Sequence, residues 1–159
     1  MRLENEDATA LFANNLAKST LHNFPDHQAV SFWLIGDLGA GKTSFTRHFL
    51  HAMGYLGKVK SPTYNLCEPY ALEHAGQILH LHHFDLYRMN HPQEWEEAGF
   101  RDTLTTPGLS LIEWPEKAEG TLPKPDLMIH IDYVDENSRS ISIEATSQTG
   151  NVILQNLAH

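Results

Sequence analysis

Gly36-Asp37-Leu38-Gly39-Ala40-Gly41-Lys42-Thr43 follows the pattern G-x-x-x-x-G-K-[ST], and it constrains the fold more than any other stretch of the chain. A loop of this kind cradles phosphate only between a strand and a helix. The flanks meet that requirement. Ala29-Val30-Ser31-Phe32-Trp33-Leu34-Ile35 is a short apolar run of strand type. Ser44 to Met53 carries Phe45, Phe49 and Met53 at helical spacing, and Gly54 is placed to stop the helix. Glycines leave no Cβ in the way, so successive N–H groups can turn toward phosphate oxygens. The helix adds unpaired N–H groups and the positive end of its dipole. Lys42 supplies a point charge for β- and γ-phosphates, and Thr43 a hydroxyl for Mg2+. The nucleotide-binding stretch is therefore Gly36, Asp37, Leu38, Gly39, Ala40, Gly41, Lys42, Thr43 and Ser44.

The remaining chain bounds the answer from outside. Its 159 residues suit one domain, 1–159, with a real core, and no repeat or linker divides it. A formal net charge of −9 makes the body a poor non-specific ligand for nucleic acid, so any RNA is expected to be held by a partner. The one cysteine, Cys67, permits no intrachain disulfide and reads as a small apolar residue, which suits a reducing cytoplasm. Met1 to Ala10 is acidic where a signal peptide would be basic then apolar, and no apolar run approaches membrane-spanning length.

Acids at Glu4, Glu6 and Asp7 precede Ala8, Leu11, Phe12 and Leu16, the pattern of an amphipathic first helix. Gly57 to Tyr64 is a loop rich in breakers and hydroxyls. Asn65 to Tyr70 reads as a strand, Glu73 to Gly76 as a hairpin turn, and Gln77 to Tyr87 as the returning strand. Pro92 suits the first turn of a short helix that Gly99 ends. Leu109 to Glu113 is a compact apolar strand closed by an acid. Leu127, Ile129, Ile131 and Tyr133 alternate with polar residues as a half-buried strand, and Ile141 and Ile143 begin another after a turn at Asp135 to Ser138. A short helix is expected from Gly150. Tight turns make antiparallel neighbours, so the fold class is α/β around a mixed parallel and antiparallel sheet.

A phosphate loop needs an acid at the end of another strand to hold Mg2+. Glu113 closes Leu109-Ser110-Leu111-Ile112, and Asp85 sits in His83-Phe84-Asp85-Leu86-Tyr87-Arg88. The loop, then Lys60-Ser61-Pro62-Thr63-Tyr64, then His83 to Arg88, then Leu111-Ile112-Glu113-Trp114-Pro115 occur in that order. This succession resembles the TsaE family, bacterial P-loop ATPases of tRNA threonylcarbamoyladenosine synthesis, and the likeness spans nearly the whole chain. The resemblance implies a P-loop NTPase-like three-layer fold, binding of ATP and Mg2+, and ATP hydrolysis. It implies work with TsaB and TsaD, which with TsaC place threonylcarbamoyl on an adenosine next to the anticodon. By position it gives Lys42, Asp85 and Glu113 catalytic roles. It gives Thr43 metal work, matches Glu113 to the family's Walker B-like acid and Asp85 to its other functional acid without dividing their roles, and matches Ser61, Pro62, Thr63 and Tyr64 to a switch-like loop. The expected division gives the metal to Glu113, which has the apolar strand behind it, and the attacking water to Asp85.

Other signals read more plainly. Among 11 histidines, His80 and His82 share a strand face and His83 follows, with no third ligand at zinc spacing, so they read as solvated strand histidines. Pro123-Lys124-Pro125-Asp126 lacks the leading Asn of a guanine reader and reads as a loop. Arg139 could reach a phosphate from a late turn, although a lone turn arginine is usually solvated. Arg88 and Arg101 are the candidates for stabilising charge, or for pairing with Asp85, Glu97 or Asp102. Trp33 and Trp95 read as core and helix anchors. Two other functions fit the same loop: a small-molecule kinase, and a nucleotide-switched adaptor without useful turnover.

Overall fold

The computed structural model describes residues 1–62 and 65–157. Its strands are β1 (Arg2–Leu3), β2 (Ala29–Ile35), β3 (Cys67–His74), β4 (Gln77–Asp85), β5 (Gly108–Glu113), β6 (Leu127–Tyr133) and β7 (Arg139–Ala145). Its helices are α1 (Glu6–His22), α2 (Lys42–Ala52), α3 (Glu94–Glu97), α4 (Phe100–Thr105) and α5 (Gln148–Gln155), with a 3-10 turn at Pro115–Ala118. The strands form one sheet in the order β1-β7-β6-β2-β5-β4-β3. Strand β2 runs parallel to both β5 and β6, and β4 runs parallel to β5. Strands β3 and β7 are antiparallel hairpin partners of β4 and β6. The mixed sheet expected from the turns is what the structure has.

Side-chain alternation divides the core into two layers around the sheet. On one face Phe32, Leu34, Leu81, Leu109, Leu111, Ile129 and Ile131 meet Phe12 and Leu16 of α1, Phe45 and Phe49 of α2, and Ile153 of α5. On the other, Phe84 and Ile112 meet Trp95 of α3 and Leu104 of α4. Phe45, Phe49 and Met53 are buried as their spacing implies. Asn5 caps α1, its side-chain oxygen accepting the Ala8 N–H at 2.8 Å. Cys67 is buried in the second layer, and burial pushes its thiol up to about 12. It is a neutral apolar filler there.

Several elements depart from the periodicity reading. Arg2–Leu3 is a short edge strand on β7, held further by the amino terminus donating to the Ile141 carbonyl at 3.0 Å. Two residues are too few for a period. Pro92 precedes α3 instead of lying in its first turn, and Gly99, at φ 88, both ends α3 and opens α4, which the sequence reading lacked. Tyr133 is 57% exposed, since the burial alternation of β6 stops after Ile131. Helix α5 begins at Gln148, where Ser147 caps it by accepting from the Gly150 N–H at 2.9 Å. Asp126 braces the fold, accepting from Ser31 N–H at 2.9 Å and Ser147 Oγ at 2.6 Å. That gives Pro123 to Asp126 a structural task.

The β3–β4 turn is tighter than expected, with only Ala75 and Gly76 at its tip and φ of 51° and 77°. Left-handed conformation at both positions is the geometry that favours Asn-Gly. An alanine there is strained by about 1 kcal/mol. Ala75→Asn is expected to raise stability by about 1 kcal/mol, read as a rise of about 3 °C in Tm by calorimetry.

Candidate functional site

The cleft that matters lies where the parallel strands end at their carboxyl edge, the place where open α/β sheets bind ligands. Strand β2 feeds the loop Gly36 to Gly41, and α2 starts at Lys42. Gly36 is pressed against the sheet, since a Cβ there would lie 2.3 Å from the Ile131 carbonyl oxygen. Gly41 caps α2 at φ 102°, a conformation glycine adopts without strain. Asp37 O accepts the Ala40 N–H at 3.0 Å, which closes the turn. The loop thus ends on a helix N-terminus whose first amides have no partner within the helix.

Strand register brings the acids to this loop. Leu34 of β2 pairs with Glu113 of β5, and Glu113 pairs with Asp85 of β4. Paired residues on neighbouring strands point to the same face. Leu34 packs in the layer beside α2, so both carboxylates project on that side. Thr43 Oγ1 lies 3.4 Å from each oxygen of the Glu113 carboxylate and 3.3 Å from Ser61 Oγ. Leu38 to Ser44, Ser61, Asp85, Tyr87, Glu113 and Trp114 line one cleft. Pro62 and Arg88 flank a second groove that shares Ser61 and Asp85. Thr63 and Tyr64, the rest of the expected switch-like loop, lie outside the described residues.

Charge in the cleft is arranged around Lys42, which is 5% exposed. Its ammonium donates to the Gly36 carbonyl, and to Asp37 O at 3.0 Å. It also sits 4.1 Å from the centroid of the Trp114 ring. Burial holds its pKa below the usual lysine value, against the pull of Glu113, Glu116, Asp85 and Asp37. Burial likewise raises Asp85, with Glu113 adding to the rise, while the Tyr87 N–H at 3.0 Å and the nearby Lys42 work the other way. Ser44 lines the cleft, but its hydroxyl donates to Glu6 of α1 at 2.7 Å. That hydroxyl ties helix to helix.

Two residues acquire places that the sequence reading did not give them. Arg139 is not a solvated turn arginine: its Nε donates to Ala40 O in the Gly36 to Gly41 loop at 2.9 Å, and its Nη1 to Asp135 O at 2.7 Å. It braces the loop from behind. His83 is not a solvated strand histidine either. It is fully buried, and its Nε2 lies 2.5 Å from Glu113 Oε2. The available signal was its spacing: His83 and Asp85 are two apart on a strand and so share a face. Arg101 pairs with Glu96 at 2.5 Å and stacks on Trp95, away from the cleft. Arg88 is exposed beside Asp85 in the second groove.

The Lys42–Trp114 contact gives an optical prediction. A ligand that draws the ammonium toward phosphate changes the surroundings of the indole. Adding Mg·ATP is expected to change tryptophan emission, and Trp114→Phe to remove most of the change, since Trp114 is the ring under the Lys42 ammonium while Trp95 is fully buried elsewhere and Trp33 lies within β2. Affinity measured by calorimetry is expected to fall only about 2–5-fold in that variant.

Hard oxygen donors suit magnesium, and hydroxyl plus carboxylate beside a phosphate cradle is the usual provision for it. Among the described residues no three His, Cys, Asp or Glu side chains are grouped to hold a metal unaided. A cation here would share its ligands with phosphate and water, and Thr43, Glu113 and Ser61 fit that requirement. None of the helices among the described residues is long and apolar enough to cross a membrane.

Comparison with known proteins converges on one group. A family model described as "Threonylcarbamoyl adenosine biosynthesis protein TsaE" matches residues 3–141. The tRNA threonylcarbamoyladenosine biosynthesis protein TsaE of Haemophilus influenzae is 46% identical over 127 residues, covering 80% of this chain and 77% of that one. The protein of the same name from Rickettsia felis is 36% identical over 152 residues, covering 95% and 82%. The crystal structure of Bacillus subtilis YdiB superposes with a TM-score of 0.76 at 27% identity, covering 99% of this chain and 91% of that one. The loop, the two strand-end acids and a family match over nearly the whole length agree, and the chain belongs to the TsaE family of threonylcarbamoyl adenosine biosynthesis proteins.

Proposed function

We propose that residues 1–159 act as one P-loop ATPase domain of the cytoplasm. The domain hydrolyses ATP with Mg2+ and so drives or resets a TsaB–TsaD complex, which with TsaC forms threonylcarbamoyl on tRNA adenosine next to the anticodon. The observation that carries the reading is the Thr43 hydroxyl 3.4 Å from the Glu113 carboxylate, where the Gly36 to Gly41 loop enters α2. The net charge of −9 supports contact with tRNA through the partner proteins and not through this chain's own surface.

Each residue has a task in this scheme. The Gly36 to Gly41 amides and the α2 N-terminus hold phosphate oxygens. Lys42 leaves its carbonyl partners for the β- and γ-phosphates. Thr43 and Glu113 would hold magnesium, which would supply positive charge to offset that of the phosphates. Asp85 orients a water and accepts its proton, and its raised pKa makes it a better base than an exposed aspartate.

Phosphate release from ATP, measured with and without purified TsaB–TsaD, tests the proposal. Slow turnover alone and faster turnover with the partners is expected, and Lys42→Ala should be inactive in both. Negligible rates throughout would favour a nucleotide-switched adaptor. Labelled phosphate on an acceptor other than water would favour a kinase.

A further inference from the structure

The buried imidazole behind Glu113 has no part in the mechanism above. His83 and Asp85 lie on the same face of β4. His83 pairs in register with Leu111, one step below the Asp85–Glu113 pair. Its neighbours on that face, Leu81, Leu109 and Leu111, are 1%, 0% and 1% exposed, so their packing alone does not call for a polar ring. The ring instead makes one polar contact among the described residues. Nε2 meets Glu113 Oε2, while the buried Nδ1 has no partner. A buried polar group with a single contact earns its place through that contact.

Glu113 needs such a support. Its side chain has three rotatable bonds, and both carboxylate oxygens lie at 3.4 Å from Thr43. Fixing one oxygen from behind leaves the other free to ligate and sets the plane of the group. We infer that His83 is a positioning residue for metal binding: its Nε2–H donates to Glu113 Oε2 and pre-orients that carboxylate toward the cation shared with Thr43. This rests on the reading of Glu113 as a magnesium ligand.

The test is the affinity of a fluorescent ATP analogue, measured across a Mg2+ titration and again in EDTA. His83→Leu is expected to raise the Mg2+ concentration needed for half-maximal tightening by about 10-fold, with affinity in EDTA unchanged. His83→Gln, whose amide nitrogen reaches roughly as far as Nε2, is expected to restore most of the wild-type response. His83→Asn, which is shorter, is not. In a Glu113→Gln background, His83→Leu should add nothing. A thermal melt accompanies each variant, and should His83→Leu fail to fold, the Gln and Asn pair carries the comparison. If Glu113→Gln removes the Mg2+ response while His83→Leu, or the Gln and Asn pair, behaves as wild type, the positioning role is overturned and the metal reading stands. If Glu113→Gln leaves the Mg2+ response intact, the metal reading is wrong and this inference falls with it.

Discussion

A Lys42→Ala protein is expected to fold as the wild type does and to bind ATP about 100-fold more weakly, about 2.7 kcal/mol. Lys42 is buried and charged, and its ammonium rests on the Gly36 and Asp37 carbonyls and the Trp114 ring. On the proposed reading, removing it takes away the charge-assisted bonds to the β- and γ-phosphates, each a strong interaction. The fold loses little, because burial depresses the lysine pKa. With a lowered folded pKa, the residue's contribution is fully present above the unfolded value of 10.5 and is lost as pH falls through the folded one. At neutral pH the charged lysine is therefore a cost to the fold. The melting temperature of Lys42→Ala is expected to lie within about 3 °C of wild type. A titration calorimeter and a thermal melt on one preparation read both effects. Large destabilisation with intact residual affinity would make Lys42 a packing residue.

Substituting the strand-end acids is expected to separate binding from turnover. Asp85→Asn keeps the shape and the Tyr87 N–H contact while removing a proton acceptor, so kcat should fall about 1000-fold with ATP affinity within about 3-fold. Glu113→Gln should weaken Mg2+-dependent binding as well as turnover. Stability gives an independent readout. Burial raises the Asp85 pKa, so its contribution is full below the unfolded value of 3.8 and is lost as pH rises through the folded one. Above that window the ionised group is a liability, and Asp85→Asn should melt about 2 °C higher at pH 7.5 with no gain near pH 3.5. Loss of Mg2+-dependent binding in Asp85→Asn would reverse the roles given to Asp85 and Glu113.

The strand–loop–helix core of the site was legible because its signals are local. An apolar run, a glycine pattern and a helical period sit in one short stretch, and each implies the next. Glu113 and Asp85 were legible because an acid closing an apolar strand is a positional signal. His83 was not. Its residue type says solvated; its spacing puts it on the face of Asp85, but the parallel register of β4 on β5 is what places it beneath Glu113. Arg139 is similar, since its contact with Ala40 spans 99 residues of chain. The edge strand Arg2–Leu3 is defined by its partner β7 and has no pattern of its own. The α3–α4 corner hides behind Gly99, which reads as a stop although the chain resumes a helix at once.

The central claim is that triphosphate and magnesium are gripped between the Gly36–Thr43 loop and the Glu113 carboxylate. A crystal structure with magnesium and a non-hydrolysable ATP analogue tests it most directly. The account predicts the β- and γ-phosphates inside the loop, Lys42 Nζ bonded to them, and the metal reached by both Thr43 and Glu113. Phosphates bound elsewhere, or a metal with Glu113 turned away from it, would contradict it.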